Sequence, residues 1–123
     1  MEKIYTKNAP EAIGPYSQAI KTGNLVFTSG QIPIVPATGE IAGDTIEVQS
    51  KQVFENLKAV AEASGTTLEA AVKTVCFLAD MNDFAAFNKV YAEYFTGKPA
   101  RSCVAVKTLP KNVLCEVEMI LEL

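Results

Sequence analysis

Hydrophobic and polar positions alternate with a period of two over residues 113–123, at the C-terminal end of the chain. Such alternation predicts a β-strand with one face in the core and the other face more polar. The predicted core face carries Val113, Cys115, Val117, Met119, Leu121 and Leu123, and the opposite face carries Glu116, Glu118 and Glu122 with Leu114 and Ile120.

Four other segments also indicate extended or irregular structure. Residues 17–29 predict two short strands around a Gly-Asn turn at Thr22-Gly23-Asn24, because this pair of residues closes hairpins. Residues 72–78 are rich in β-branched and apolar side chains and predict a central strand, and residues 101–107 predict another strand. Residues 31–43 are rich in proline and glycine without a sustained period, which predicts a loop or an irregular extended segment.

A first helix is predicted to begin near Asp44, which is followed three residues later by Glu47 in the pattern of a capping box. Hydrophobic residues then recur at helical spacing until Gly65, which predicts a helix of about five turns. They are Ile46, Val53, Leu57, Val60 and Ala61.

A second helix is predicted to be capped by Asn82 and to end at Gly97 and Pro99. It carries an aromatic stripe, which predicts a face buried in the core. The stripe consists of Phe84, Phe87, Tyr91, Tyr94 and Phe95.

The order of these elements predicts a single α+β domain over residues 1–123, with both helices on one face of a mixed β-sheet. The face of the sheet that the helices leave uncovered must then pack against another surface. Hydrophobic residues make up 49% of the chain, so we expect part of the apolar surface to meet another subunit.

The composition disfavours several classes of protein. The net charge of -3 and the lack of a lysine or arginine run disfavour nucleic acid as a partner. The longest apolar stretches are far too short for a membrane helix. The first residues lack the apolar segment of a signal peptide, so we expect a cytoplasmic protein.

The residue types also limit the possible chemistry. The chain contains no histidine, which disfavours Ser-His or Cys-His nucleophiles and imidazole-based metal sites. Its three cysteines are widely spaced without a Cys-x-x-Cys pair, which argues against a zinc site and a disulfide framework. No metal is therefore expected.

Arg101 is a permanent cation on a predicted strand, and if it points inward it needs an anion. One candidate is Glu116, because the tight connection at residues 109–112 allows the two side chains to share one face of a hairpin. The other candidate is the carboxylate of a ligand. The sequence pattern leaves both alternatives open.

Other polar residues are candidates for contacts near Arg101. Asn88 lies on the apolar face of the second helix and needs a hydrogen-bond partner, either a neighbouring backbone group or a ligand. Cys103 falls on the same face of its strand as Arg101, so it is either a low-pKa nucleophile or an inert buried cysteine. Tyr16 and Ser29 are further polar candidates.

Five motifs together resemble the RidA family, also called YjgF, and they span essentially the whole chain. The motifs are Gly14-Pro15-Tyr16-Ser17-Gln18, Ser29-Gly30-Gln31-Ile32-Pro33, Asn56-Leu57-Lys58-Ala59-Val60, Pro99-Ala100-Arg101-Ser102-Cys103-Val104 and Leu109-Pro110-Lys111. The resemblance implies a fold like trimeric chorismate mutase and a homotrimer with a cleft at each subunit interface. It also implies a cofactor-independent deaminase that hydrolyses 2-imino acids, such as 2-iminobutanoate and 2-iminopropanoate, to 2-keto acids and ammonia.

By position, the resemblance implies that Arg101 clamps the substrate carboxylate and that Glu116, with the backbone of Cys103, positions the attacking water. Tyr16, Ser29, Gly30 and Asn88 match other pocket positions.

Two departures from the family pattern bear on substrate range. Bacterial members often have Glu-Val-Ala-Arg-Leu-Pro where this chain has Ala105-Val106-Lys107-Thr108-Leu109-Pro110, and the connection Thr96-Gly97-Lys98 is short.

Two other functions remain as alternatives. One is a module that binds small carboxylates without turnover, because the same Arg101 pocket would serve it. The other is an endoribonuclease or translation inhibitor, as proposed for relatives. The acidic balance of charges disfavours this second alternative.

Overall fold

Six strands and two helices make up the fold, and the computed structural model describes all of residues 1–123. The strands are β1 (Glu2–Ile4), β2 (Ala19–Thr22), β3 (Leu25–Thr28), β4 (Ala71–Leu78), β5 (Ala100–Ala105) and β6 (Cys115–Glu122). The helices are α1 (Ile46–Ala63) and α2 (Phe84–Tyr94), and short 3-10 turns occupy Leu68–Ala70, Met81–Asp83 and Pro110–Asn112.

The strands form one mixed sheet in the order β1-β2-β3-β6-β4-β5. Only the β4-β5 pair is parallel, and α2 provides the crossover that such a pair requires. Buried residues of both helices and of the sheet form a single core cluster. The α+β architecture with helices on one face of a mixed sheet is therefore confirmed.

The predicted hairpin between the strands of Arg101 and Glu116 is wrong. Strand β6 lies between β3 and β4 and is antiparallel to both, so β4 separates it from β5. Arg101 is in register with Thr74, which is fully buried beneath the helices, whereas Glu116 is in register with Phe77. Because Thr74 and Phe77 are three residues apart on one strand, Arg101 and Glu116 lie on opposite faces of the sheet.

Two predicted helix starts need correction. The cap of α1 is Thr45, whose hydroxyl accepts a hydrogen bond from the Val48 amide at 3.3 Å, so the helix begins one residue later than the Asp44 box assumed. Asn82 lies inside a 3-10 turn that Asp80 caps by accepting from the Asn82 amide at 2.8 Å. The short strand β1 was not predicted.

The aromatic stripe of α2 packs around Phe54 of α1, as the helical spacing predicts. Phe54 is fully buried, and its ring centroid lies between 5.3 and 5.8 Å from those of four aromatic rings of the stripe. These rings belong to Phe87, Tyr91, Tyr94 and Phe95. This cluster joins the two helices above the sheet.

Buried amides hold the long irregular segment after β3 against α1. The Asn56 amide donates to the carbonyl oxygens of Ile32 and Ile34 at 3.2 and 2.9 Å. The side-chain oxygen Oε1 of Gln49 accepts from the Leu114 backbone amide at 2.8 Å, which fixes the approach to β6. The segment at 31–43 is irregular, as predicted, and its path is held by these side-chain hydrogen bonds together with backbone hydrogen bonds, such as that from the Gln31 amide to the Val117 carbonyl oxygen at 2.8 Å.

Replacement of Phe54 by alanine should lower the free energy of unfolding by about 3–5 kcal/mol, because it leaves a cavity among the packed rings. Chemical denaturation of the variant measures this loss. The matched control is Lys51→Ala, an exposed position on the same helix, which should change stability by less than about 0.5 kcal/mol. Equal effects of the two substitutions would contradict the central position of Phe54.

Candidate functional site

Arg101 is held by an amide and two aromatic rings on the helix side of the sheet. Its Nη1 donates a hydrogen bond to Asn88 Oδ1 at 2.6 Å. Its Cζ lies 4.7 Å from the ring centroid of Tyr91 and 5.5 Å from that of Phe84, within the range of cation-π attraction. Tyr91 is itself tied to Thr74 by a hydroxyl–hydroxyl hydrogen bond of 2.7 Å. The guanidinium is therefore positioned by its neighbours before any ligand arrives.

A cavity of about 590 Å³ opens beside this guanidinium. No aspartate or glutamate contributes to its lining. Its walls are formed by Asn88, Tyr91, Ala92, Phe95, Thr96, Lys98, Pro99 and Arg101. The cavity is suited to an anion, because a planar guanidinium can bind a carboxylate through two parallel hydrogen bonds.

Glu116 lines a second depression, of about 520 Å³, on the opposite face of the sheet. No lysine or arginine contributes to this lining, which therefore has the opposite charge from the Arg101 cavity. The lining residues are Ile13, Tyr16, Thr28, Ser29, Gly30, Ile32, Pro110, Glu116 and Glu118.

Gly30 allows the Glu116 carboxyl group to lie directly against the backbone. A Cβ atom at position 30 would stand 2.9 Å from Glu116 Cδ, closer than real Cβ atoms approach other heavy atoms. The neighbouring Ser29 hydroxyl donates to the Ser17 carbonyl oxygen at 2.6 Å. The Ser29-Gly30 motif therefore shapes the depression in two ways. Ser29 holds the local backbone by a hydrogen bond, and Gly30 leaves room for the Glu116 carboxyl group.

The pKa of Glu116 is raised above its usual range, first by burial and second by the nearby charge of Glu118. Burial disfavours the charged form of a carboxyl group, and a like charge adds to this effect. A carboxyl group with a raised pKa exchanges protons more readily near neutral pH than an ordinary glutamate does.

The thiol of Cys103 lies on the same face as Arg101 and is in register with Cys76 on β4. Burial raises the pKa of Cys103, although the Arg101 charge and a hydrogen bond with Cys76 oppose this rise. Because the net shift of the Cys103 pKa is upward, the low-pKa nucleophile considered from the sequence is not supported, and the inert alternative is favoured.

The predicted site residues form two groups that a single chain does not bring together. Arg101, Asn88 and Cys103 belong to the helix side of the sheet, whereas Tyr16, Ser29, Gly30 and Glu116 belong to the other side.

The sequence interpretation missed three contributors. Phe84 and Tyr91 were assigned only to the core, although their spacing around Asn88 places all three on one helix face. Glu118 was assigned to the polar face of β6 without a role beside Glu116. The two-residue alternation of that strand could have shown that Glu118 lies next to Glu116 on the same face.

The family model described as endoribonuclease L-PSP matches residues 6–123. The chain belongs to this family. A RidA from an Antarctic Psychrobacter species has a crystal structure that aligns with the whole chain at a TM-score of 0.96 and 43% identity, each chain being covered over 100% of its length. The RidA resemblance of the motifs is therefore confirmed.

Members of the family with different descriptions are similar to this chain. A RutC family protein of Pyrococcus horikoshii is 58% identical over 97% of this chain and 95% of its own length. The 2-iminobutanoate/2-iminopropanoate deaminase of Escherichia coli is 49% identical over 95% of this chain and 94% of its own length.

Two further crystal structures have the same fold. A protein of Thermotoga maritima described as a putative endoribonuclease has a TM-score of 0.97 and 49% identity, covering 100% of this chain and 98% of that one. TdcF of Escherichia coli, solved with bound serine, has a TM-score of 0.95 and 44% identity, covering 100% of this chain and 99% of that one.

The chain lacks two other features. No group of three or more cysteine, aspartate or glutamate side chains is arranged to hold a metal ion. Neither helix combines the length and the apolar character needed to cross a bilayer.

Replacement of Glu118 by glutamine should lower the pKa of Glu116, because it removes the like charge that contributes to the rise. The shift should be partial, since burial is the larger cause. Carboxyl-detected NMR titration of wild type and variant measures it. Glu122→Gln, farther along the same strand, is the control and should leave the Glu116 pKa unchanged; an unchanged pKa in Glu118→Gln would contradict the assignment.

Proposed function

We propose that the protein hydrolyses reactive 2-imino acids, such as 2-iminobutanoate and 2-iminopropanoate, to 2-keto acids and ammonia, without a cofactor and in the cytoplasm. The observation that carries the proposal is the Arg101 guanidinium, which is held in place by Asn88 and faces an open cavity without an acidic residue. The 49% identity with the Escherichia coli deaminase supports the choice of substrate.

The Arg101 cavity and the Glu116 depression have opposite charges, and this complementarity supports a site shared between subunits. A head-to-tail contact would bring the Arg101 cavity of one chain to the Glu116 depression of the next. Contacts of this kind close into a ring when the rotation between chains allows it, and a trimer is the ring that the family resemblance implies. Phe27 and Val104 are exposed by 41% and 48% on the open face of the sheet and would supply apolar contact area.

The chemistry requires orientation of the substrate and transfer of protons. Arg101 would bind the substrate carboxylate, with Asn88 and the aromatic rings keeping the guanidinium plane fixed. Glu116 would accept a proton from water as the water oxygen attacks the imine carbon. Attack on the protonated imine would give a carbinolamine, and the same carboxyl group would then give its proton to the carbinolamine nitrogen. As the C–N bond breaks and ammonia leaves, the carbinolamine hydroxyl would return a proton to the Glu116 carboxylate and become the carbonyl of the 2-keto acid.

The remaining residues of the family pattern would shape the pocket. The Cys103 backbone would help Glu116 to hold the water, and Tyr16, Ser29 and Gly30 would line the opposite wall. No thiolate is needed for this sequence of steps, which agrees with the raised pKa of Cys103.

Two other functions would use parts of the same site. A carboxylate-binding module would need Arg101 but no turnover, and an imine-decay assay separates it from a deaminase. RNA cleavage is the activity named in the description of the family model. The net charge of -3 and the acidic depression at Glu116 disfavour binding of a phosphate backbone, and RNA binding measured against salt concentration tests this alternative.

Replacement of Arg101 by alanine should lower imine hydrolysis by roughly 30-fold or more, because a desolvated guanidinium–carboxylate contact contributes about 2–5 kcal/mol. Arg101→Lys should restore activity only in part, since an ammonium group lacks the planar fork. Imine decay, with the imine supplied by a threonine dehydratase, measures both variants. Lys89→Ala on the exposed side of α2 is the control, and full activity in Arg101→Ala would refute the clamp.

Glu116→Gln should lower turnover by about 10²- to 10⁴-fold while leaving binding of a 2-keto acid nearly unchanged, because glutamine keeps the shape but cannot exchange a proton. In wild type, activity should fall as the pH falls through the raised pKa of Glu116, since the carboxylate is the form that accepts the proton. This limb of the pH profile should disappear in the variant. Normal turnover of Glu116→Gln, or a loss of binding as large as in Arg101→Ala, would count against the proton relay.

A further inference from the structure

The Arg101 cavity contains a second cation, Lys98, which the imine chemistry described above does not use. The cavity volume of about 590 Å³ falls in the range of roughly 300–1,000 Å³ that accommodates drug-sized ligands. The second cation therefore calls for an explanation.

The backbone places Lys98 at this wall in an uncommon conformation. Its φ angle of 52° lies in the left-handed region, which a lysine rarely adopts and which recurs at ligand sites. The Lys98 amide donates to the Phe95 carbonyl oxygen at 3.2 Å, so the turn after α2 is closed by a hydrogen bond. A Cβ atom on the preceding Gly97 would stand 2.8 Å from the Glu69 carbonyl oxygen, so the connection is packed tightly against its neighbour.

The charges of the wall favour an anion between the two cations. Lys98 and Arg101 line one cavity, and the other lining residues are uncharged at neutral pH. The two are three positions apart along the chain, so their Cα atoms lie at most about 11 Å apart. A dicarboxylate of four or five carbon atoms is long enough for each of its carboxylates to be contacted by one of the two side chains.

We propose that Lys98 binds the side-chain carboxylate of acidic 2-imino acids, so that dicarboxylic imines such as 2-iminosuccinate and 2-iminoglutarate are substrates of this site. The inference rests on the proposed function, in which Arg101 binds the carboxylate next to the imine carbon. Lys98 acts as a specificity-determining residue and takes no part in proton transfer. The short connection at Thr96-Gly97-Lys98 thus has a chemical consequence, because it places Lys98 in the lining of the pocket.

The test compares acidic and neutral imines on two lysine variants. An amino acid oxidase generates the imines in place from glutamate, aspartate and 2-aminobutyrate, and imine decay is followed with wild type, Lys98→Met and Lys89→Met. Lys98→Met should lower kcat/KM for the acidic imines about tenfold or more, mainly through KM, as expected for loss of a charged hydrogen bond. The value for 2-iminobutanoate should stay within about twofold, and Lys89→Met should change neither.

Two results would overturn the subsite. One is an equal loss of activity on acidic and neutral imines in Lys98→Met. The other is a fall in assembly stability in both Lys98→Met and Glu118→Gln without any change in substrate preference, which would make Lys98 an ion-pair partner of Glu118 between subunits.

Binding measurements separate failure of the subsite from failure of the proposed function. If no imine is turned over, calorimetry with 2-oxoglutarate and 2-oxobutanoate, on wild type and Lys98→Met, tests whether Lys98 binds a second carboxylate. Selective loss of 2-oxoglutarate affinity in Lys98→Met supports the subsite in a protein that only binds. If Lys98→Met changes the affinity for 2-oxoglutarate no more than the affinity for 2-oxobutanoate, the Lys98 subsite is excluded.

Discussion

The insertion of β6 between β3 and β4 is the constraint on which the arrangement of the site depends. It makes β4 the common neighbour of β5 and β6, and the two-residue period of the strands then puts Arg101 and Glu116 on opposite faces. Each face carries a depression with charge of one sign. Under the proposed function, these two depressions are the halves of one site, and a second copy of the chain would bring them together.

Packing inside the domain holds Arg101 and Glu116 in place. The aromatic cluster around Phe54 fixes α2, and α2 in turn presents Asn88 and Tyr91 to the Arg101 guanidinium. On the other face, the absence of a side chain at Gly30 gives the Glu116 carboxyl group its place. Groups held in this way lose little further freedom when a ligand binds, which favours both affinity and catalysis.

Local patterns predicted much of the fold and most of the candidate site residues, but not how the strands pair. The alternation over 113–123 and the aromatic stripe of α2 correctly indicated most of the buried side chains. The exceptions are Leu123, which is 48% exposed, and Phe84 and Tyr94, which are only half-buried. Strand order depends on contacts between distant segments, so the connection at 109–112 was mistaken for a hairpin. The support of Arg101 by Phe84 and Tyr91 was missed because aromatic residues at helical spacing look the same whether they pack in a core or hold a cation.

Co-assembly of two inactive variants tests most directly whether the site is shared between subunits. Arg101→Ala and Glu116→Gln chains would be unfolded together in equal amounts, refolded, checked for mass by light scattering and assayed for imine decay. If each site of a trimeric ring takes Arg101 from one chain and Glu116 from the next, random mixing leaves about a quarter of the sites with both native residues. The account therefore predicts recovery of roughly a quarter of wild-type activity. Activity no higher than the mean of the two separate variants, in particles confirmed to be mixed, would contradict it.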